Sequence, residues 1–120
     1  MNTPAKILQA AFFTTDTGKR PVREWLMELE PEDRKAIGED IATLEFCWPV
    51  GKPKCSPMKG TKGLWEIRSN ISSGRIARVF FVLIGNQMVL LHGFVKKTQK
   101  TPDKELNLAT ARMKEVQRYE

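Results

Sequence analysis

Residues 64–97 read LWEIRSNISSGRIARVFFVLIGNQMVLLHGFVKK, and their pattern of polar and apolar side chains decides the fold. Side chains alternate between two faces over residues 64–71, which is the period of a β-strand. Residues 75–85 begin polar and are apolar throughout their second half, which favours a central strand. Residues 87–97 form a further strand-like stretch. Because SSG and GN are turn signals that separate these stretches, the sequence predicts a three-stranded antiparallel meander.

Outside the meander, most apolar residues recur at helical spacing. Residues 6–13 are apolar enough for a first strand, either at an edge of the sheet or beside the C-terminal strand. Two helices are predicted within residues 21–47, each beginning at a proline, which is a favourable first helical position. Residues 49–63 contain three prolines, three glycines and four lysines and are predicted to be a loop. A last helix is predicted over residues 103–119.

These elements predict an α+β fold in the order β-α-α-β-β-β-α, with residues 1–120 as a single domain. The meander becomes a small antiparallel sheet flanked by two N-terminal helices and a C-terminal helix. The N-terminal helices are expected to cover one face of the sheet and to bury six apolar side chains there: Trp25, Leu26, Leu29, Ile37, Ile41 and Leu44.

The basic residues are concentrated in the meander and in the loop before it. Residues 51–101 contain ten Lys and Arg and one acid, Glu66, which gives a net charge of +9. Residues 1–50 have a net charge of −3, and the whole chain has +6. A sheet with a concentrated positive field favours a polyanionic partner, above all nucleic acid, over a solvated basic surface without a ligand.

Composition excludes several classes of protein. The longest apolar runs are far shorter than the roughly 20 residues of a membrane helix, and no signal-peptide pattern is visible, so a cytoplasmic protein is expected. Cys47, Cys55 and the single histidine, His92, are too few for a zinc site. Free thiols are therefore expected, with no metal and no cofactor.

Several phrases resemble a known family. GLWEIR, RVFF and LLHGFVKKTQKTP, together with PVREWLMELEPEDR, are similar to the phage-derived branch of HigB-like toxins in the RelE/ParE toxin superfamily. The resemblance covers nearly the whole chain and implies a RelE-like fold with an RNA-binding groove on the open side of the sheet. It also implies a toxin of a type II toxin–antitoxin system that cleaves mRNA, typically on the ribosome, and inhibits translation. The implied partner is an antitoxin, commonly a HigA-like helix-turn-helix protein.

The residue types restrict the chemistry of such a ribonuclease. Cleavage by the 2′-hydroxyl of RNA requires removal of its proton, stabilisation of the phosphorane and protonation of the leaving 5′-oxygen. One histidine excludes a paired-histidine mechanism. A cluster of Arg and Lys can stabilise the phosphorane, and a lysine whose pKa is lowered by neighbouring cations can transfer a proton. A metal-independent endoribonuclease is therefore expected.

The resemblance assigns the catalytic positions. It places Arg68 and Arg78 on successive strands, with Arg75 competing for the role of Arg78. It places Lys96 and Lys97 at the end of the last strand, where an ideal strand points them to opposite faces, so that at most one faces the groove.

Two further residues in the meander have alternative interpretations. His92 is an acid–base candidate through its near-neutral pKa, although a structural histidine suits its apolar strand better. Glu66 shares a face with Arg68, so an ion pair between them is favoured over a catalytic base. In this it departs from relatives that have a cation at that position. Trp65 and Phe94 are expected to pack in the core rather than to stack on bases. The residues expected to attract or bind RNA are Lys52, Lys54, Lys59, Lys62, Arg75 and Lys100.

Other functions remain open at the level of sequence. A ParE-like gyrase inhibitor would keep the sheet but would not need the cations. A non-catalytic RNA-binding module is suggested by the α-β-β-β-α order, which double-stranded-RNA-binding domains share, and a decayed toxin could still bind its antitoxin. The antitoxin is expected to cover the basic sheet or, preferably, to dock on acids that the N-terminal helices expose: Glu28, Glu30, Glu32, Glu39 and Glu45.

Overall fold

The computed structural model describes residues 5–96 and 100–119, and in these ranges the chain forms an α+β structure with three helices and five strands. In chain order the elements are β1 (Gln9–Phe12), α1 (Pro21–Glu28), α2 (Pro31–Cys47), β2 (Cys55–Pro57), β3 (Leu64–Asn70), β4 (Ile76–Ile84), β5 (Gln87–Lys96) and α3 (Asp103–Arg118). The α+β class, the antiparallel meander and the helices that begin at prolines confirm the sequence predictions.

The five strands form one sheet in the order β1-β5-β4-β3-β2. The meander occupies its centre, and β1 runs parallel to β5 at one edge, which confirms its predicted place beside the C-terminal strand. The prediction of a loop over residues 49–63 is wrong at β2, which pairs with β3 at the other edge. Its Pro and Lys neighbours indicated a loop, but both residue types are also found on edge strands, where a second ladder of hydrogen bonds is not needed.

The helices cover the two faces of the sheet separately. Helices α1 and α2 pack on the face that includes Ile67, Val79 and Phe81, and α3 packs on the opposite face through Ala109 and Met113. All six apolar residues predicted for the N-terminal helices contribute to the core between these helices and the sheet, with Trp25 and Leu29 only partly buried. None of the described helices is long and apolar enough to cross a membrane.

Two buried carboxylates hold α2 to the sheet. Asp33 accepts hydrogen bonds from the Ser72 backbone N–H (2.9 Å) and hydroxyl (3.1 Å) and from Arg75 Nη2 (2.8 Å). At the other end of α2, Glu45 accepts a 2.9 Å hydrogen bond from the Ala10 N–H. Glu45 is only 8% exposed, so the prediction that it is an exposed contact for an antitoxin is wrong. Its carboxylate instead binds a backbone group of the edge strand β1.

Candidate nucleic-acid interface

One face of the sheet is covered by α3 over only part of its area. In the covered part, Leu64, Phe80 and Leu91 pack against Met113 of α3. Further along the strands, the same face has charged side chains. Directly opposed residues of antiparallel strands share a face, and Arg68 is opposite Arg78 while Arg78 is opposite Phe94. Because side chains alternate along a strand, Glu66 and Lys96 lie on this face as well. We call Arg68, Arg78 and Lys96 the cation cluster.

The cation cluster is built around a buried ion pair. Arg78 Nη1 donates to Glu66 Oε1, and the two side chains are 13% and 6% exposed. The expected pairing of Glu66 with Arg68 is therefore wrong. Arg68 lies on the same strand as Glu66 but is exposed, whereas Arg78 reaches the carboxylate from β4. With three cations and one carboxylate, this part of the face keeps a formal charge of +2.

The ion pair does not use all of its hydrogen-bonding capacity. Glu66 Oε2 and Arg78 Nε are buried without a hydrogen-bond partner among the described residues. Buried polar atoms normally have a hydrogen-bond partner, so the two atoms without one lower the stability of the fold. The bond to Glu66 fixes the orientation of the Arg78 guanidinium against β3.

Lys96 lies where its ammonium group is destabilised. Its pKa is lowered from the usual value of 10.5, first by burial and then by the positive charge of Arg78, with a further lowering from Arg68. Glu66 opposes the shift. A lysine in this setting gives up its proton more readily than an exposed one, so it is suited to proton transfer.

His92 lies on the same face but contacts α3. Its Nε2 is 3.1 Å from Glu105 Oε2 in the first turn of that helix, and its ring stacks on Phe94 at a centroid distance of 5.8 Å. Burial lowers the pKa of His92 below 6.5; Glu105 opposes this change and Arg112 adds to it. The contact with Glu105 supports the structural interpretation of His92, and a catalytic role stays a prediction.

The lowered pKa of His92 predicts a pH dependence of folding stability. The unfolded chain binds the proton with the ordinary pKa of 6.5, so it takes up a proton before the folded chain does. The stability contributed by neutral His92 is thus present above this pH and is lost as the pH falls through the lower, folded-state pKa. Urea unfolding between about pH 7 and pH 5 should show this loss, worth at most about 1.4 kcal/mol per pKa unit. His92→Gln should flatten the profile, and an unchanged slope would assign the effect to other groups.

The remaining predicted residues do not join the cluster. Arg75 pairs with Asp33 of α2. Lys59 and Lys62 are exposed at the other end of β3, where Gln117 donates to the Lys62 carbonyl at 3.2 Å. Lys100 is exposed just before α3. Their RNA-binding roles stay predictions.

Other predicted residues are engaged elsewhere or lie outside the described part of the chain. Lys54 pairs with Asp40 of α2, and Lys97 lies outside the described residues. Trp65 packs in the core beneath α1 and α2, and Phe94 packs in the core beneath α3, as expected.

The chain offers little metal-binding chemistry in the ranges that the structure describes. No group of three or more His, Cys, Asp or Glu is placed to hold a metal ion within residues 5–96 and 100–119. Both cysteines are free thiols, and the pKa of buried Cys55 is raised to about 11 by burial and by Glu66.

An α+β fold with a five-stranded sheet and helices on both of its faces is consistent with a small RelE-like fold. The chain belongs to the family described as phage-derived protein Gp49-like (DUF891), which it matches over residues 24–114. This family is part of the RelE/HigB-type toxin group and is associated with toxins of toxin–antitoxin systems, which suggests pairing with an antitoxin. A search of curated proteins finds no match to the chain.

Sequence reasoning missed one feature near the cluster. Beyond the short strand β2, a cleft opens between α2 and β3 and is lined by Glu39, Asp40, Arg68 and Asn70. No periodicity indicates it, because it depends on where β2 begins. The prolines on either side of Cys55 are the sequence signal that would have placed this start.

Proposed function

We propose that the protein is a HigB-like toxin that acts as an mRNA interferase, a ribosome-dependent endoribonuclease that inhibits translation in the cytoplasm. The observation that carries the proposal is the cation cluster with its buried Glu66–Arg78 pair, on the part of the sheet that α3 leaves open. Membership of the Gp49-like family supports the toxin role, with a HigA-like antitoxin as the partner that silences it.

The cluster suits a reaction in which the RNA 2′-hydroxyl attacks the adjacent phosphate. Arg78, oriented by Glu66, and exposed Arg68 would donate hydrogen bonds to the non-bridging oxygens, where negative charge develops in the phosphorane. Both guanidinium groups stay protonated, so they stabilise charge but transfer no proton. Lys96 would then protonate the leaving 5′-oxygen, while the 2′-hydroxyl proton passes to solvent.

The role of Lys96 as an acid predicts the shape of the pH–rate profile. The protonated form is the active one, so cleavage should fall as the pH rises through the Lys96 pKa, which lies below 10.5. Lys96→Arg keeps the charge but cannot titrate in this range, and it should lower the rate and remove this alkaline limb. Lys104→Arg, at an exposed position of α3, is the matched control. A limb that persists in Lys96→Arg would contradict the assignment.

The proposed function is tested by translation of a defined mRNA in a purified ribosomal system. We expect cleavage fragments that end in a 2′,3′-cyclic phosphate, and no cleavage at a site where the 2′-hydroxyl is replaced by hydrogen. Intact mRNA together with inhibition of DNA supercoiling by gyrase would support the ParE-like alternative. Intact mRNA with tight RNA binding would support a non-catalytic module.

A further inference from the structure

The cleft between α2 and β3 continues from the cation cluster. It has a volume of about 510 Å³, within the range of small-molecule sites, and is lined by Glu39 and Asp40 of α2, by Pro53 and Lys54, and by Arg68 and Asn70 of β3. Arg68 belongs to both features, since it lies opposite Arg78 and also lines the cleft. An RNA strand that has one phosphate at Arg78 therefore reaches the cleft by passing Arg68.

The edge of β3 provides backbone groups to this cleft. The Arg68 N–H donates to the Lys54 carbonyl at 2.7 Å, away from β4, whereas the Ile71 N–H donates to Arg75 at 3.0 Å, toward the β4 side. Backbone groups alternate in direction along a strand, so the N–H and C=O of Asn70 point to the same side as those of Arg68. Because β2 begins at Cys55, no strand in the part of the chain that the structure describes covers Asn70 on that side.

The charges of the cleft favour a neutral group over a second phosphate. Lys54 is paired with Asp40, so its charge is offset within the cleft. Glu39 keeps an accessible carboxylate: its side chain is 67% exposed, and it forms only a long, exposed ion pair of 3.9 Å with Lys35 of the same helix. A phosphate in this cleft would be repelled by the Glu39 carboxylate, whereas a nucleobase offers uncharged donors and acceptors.

We propose that this cleft is a nucleobase subsite that selects guanine beside the phosphate held by the cation cluster. The inference rests on the proposed ribonuclease function and adds a specificity to it. On its Watson–Crick edge, guanine presents two adjacent donors, N1–H and the N2 amino group, which match the two oxygens of the Glu39 carboxylate. Its O6 acceptor matches the Asn70 N–H or the Arg68 guanidinium.

The other bases fit this arrangement less well. Adenine and cytosine present one donor group beside an acceptor, and uracil presents one donor between two acceptors, so each places an acceptor against a carboxylate oxygen. An extended peptide is disfavoured for a different reason. A peptide would need several backbone partners in a row along β3. The Arg68 N–H is already bonded to the Lys54 carbonyl, so the backbone of Asn70 is the one position of β3 left in the cleft for a peptide.

The test separates base selection from RNA cleavage. The ¹⁵N-labelled protein is titrated with guanosine 5′-monophosphate, adenosine 5′-monophosphate and uridine 5′-monophosphate, and the Asn70 and Arg68 backbone amide signals are followed. We expect guanosine 5′-monophosphate to bind about 10-fold more tightly than the other two, as for one bidentate base contact. Glu39→Gln should abolish this preference. Glu32→Gln, at an exposed glutamate of the same helix outside the cleft, should keep it.

The outcomes for the cleft and for the proposed function are distinct. Loss of a guanine bias at the cleavage site in Glu39→Gln, with the bias kept in Glu32→Gln, would support the subsite. Equal binding of the three nucleotides, or a preference that survives Glu39→Gln, would overturn it even if the protein cleaves mRNA. Asn70 signals that respond only to a partner protein would also overturn it, in favour of a peptide. Guanine binding without cleavage would leave the subsite standing and reject the ribonuclease function.

Discussion

Arg78→Ala is expected to lower single-turnover cleavage of mRNA by about 100-fold or more, the scale of losing one preorganised donor to a developing oxyanion. The geometry gives the reason. The Arg78 side chain is only 13% exposed, and its guanidinium is fixed by Glu66 before any substrate arrives. Interactions that need no reorganisation act in full in the transition state. Arg78→Lys should restore little, because a point charge cannot replace a planar fork that binds Glu66 and a phosphate oxygen together.

Folding must be separated from catalysis in this experiment. Arg78→Ala leaves Glu66 as a buried, unpaired carboxylate, which is strongly destabilising in general. The variant Arg78→Ala/Glu66→Gln removes both charges and should recover much of the lost stability while staying inactive. Arg118→Ala, at an exposed arginine of α3, is the matched control and should cleave normally. A folded Arg78→Ala/Glu66→Gln protein that cleaves mRNA at the wild-type rate would reject the proposed site.

The elements with a strong period were predictable from sequence. Alternation in residues 64–71 and the turns at SSG and GN determine the meander, since a shift by one residue would move every side chain to the opposite face of the sheet. The same alternation places Arg68 and Arg78 on one face. It leaves Arg75 and Arg78 unresolved, because Arg75 adjoins a turn in which Ser73 has a φ of 60° and the regular pattern is lost.

The partners of charged residues were less predictable. Asp33 and Glu45 are acids on α2, and acids on a helix are usually exposed. Their spacing of four residues from Ile37 and Ile41 nevertheless places both of them along the apolar side of the helix. Both are buried because each bonds to a backbone N–H of a distant segment, Ser72 in one case and Ala10 in the other. Helical spacing indicates that these acids face the sheet, but the partners themselves are set by tertiary packing and have no signal in local spacing. The pairing of Glu66 with Arg78 rather than Arg68 was missed for the same reason.

The docking of α1 on the sheet depends on the absence of a side chain at one position of β5. Gly93 lies opposite Val79 and is buried beneath the indole of Trp25. A Cβ atom at Gly93 would lie 2.4 Å from Trp25 Cζ3 and 2.5 Å from Cε3, which is far inside van der Waals contact. The indole therefore rests on the bare backbone of the strand, and the glycine is required by this close approach rather than by its φ angle.

Gly93→Ala is accordingly expected to destabilise the protein by about 1–3 kcal/mol, the usual cost of overpacking a core, as measured by urea unfolding. The half-buried Trp25 must swing outward, so part of its contact with the sheet is lost. Trp25→Leu removes the ring, and in that background the same substitution should cost clearly less, a coupling that a double-mutant cycle measures. Gly38→Ala is the opposite control: nothing lies within 4 Å of its Cβ position in α2, so it should stabilise by about 0.4–1 kcal/mol. If Gly93→Ala were as stable as Gly38→Ala, the indole would not rest on this strand, and the docking of α1 would need another explanation.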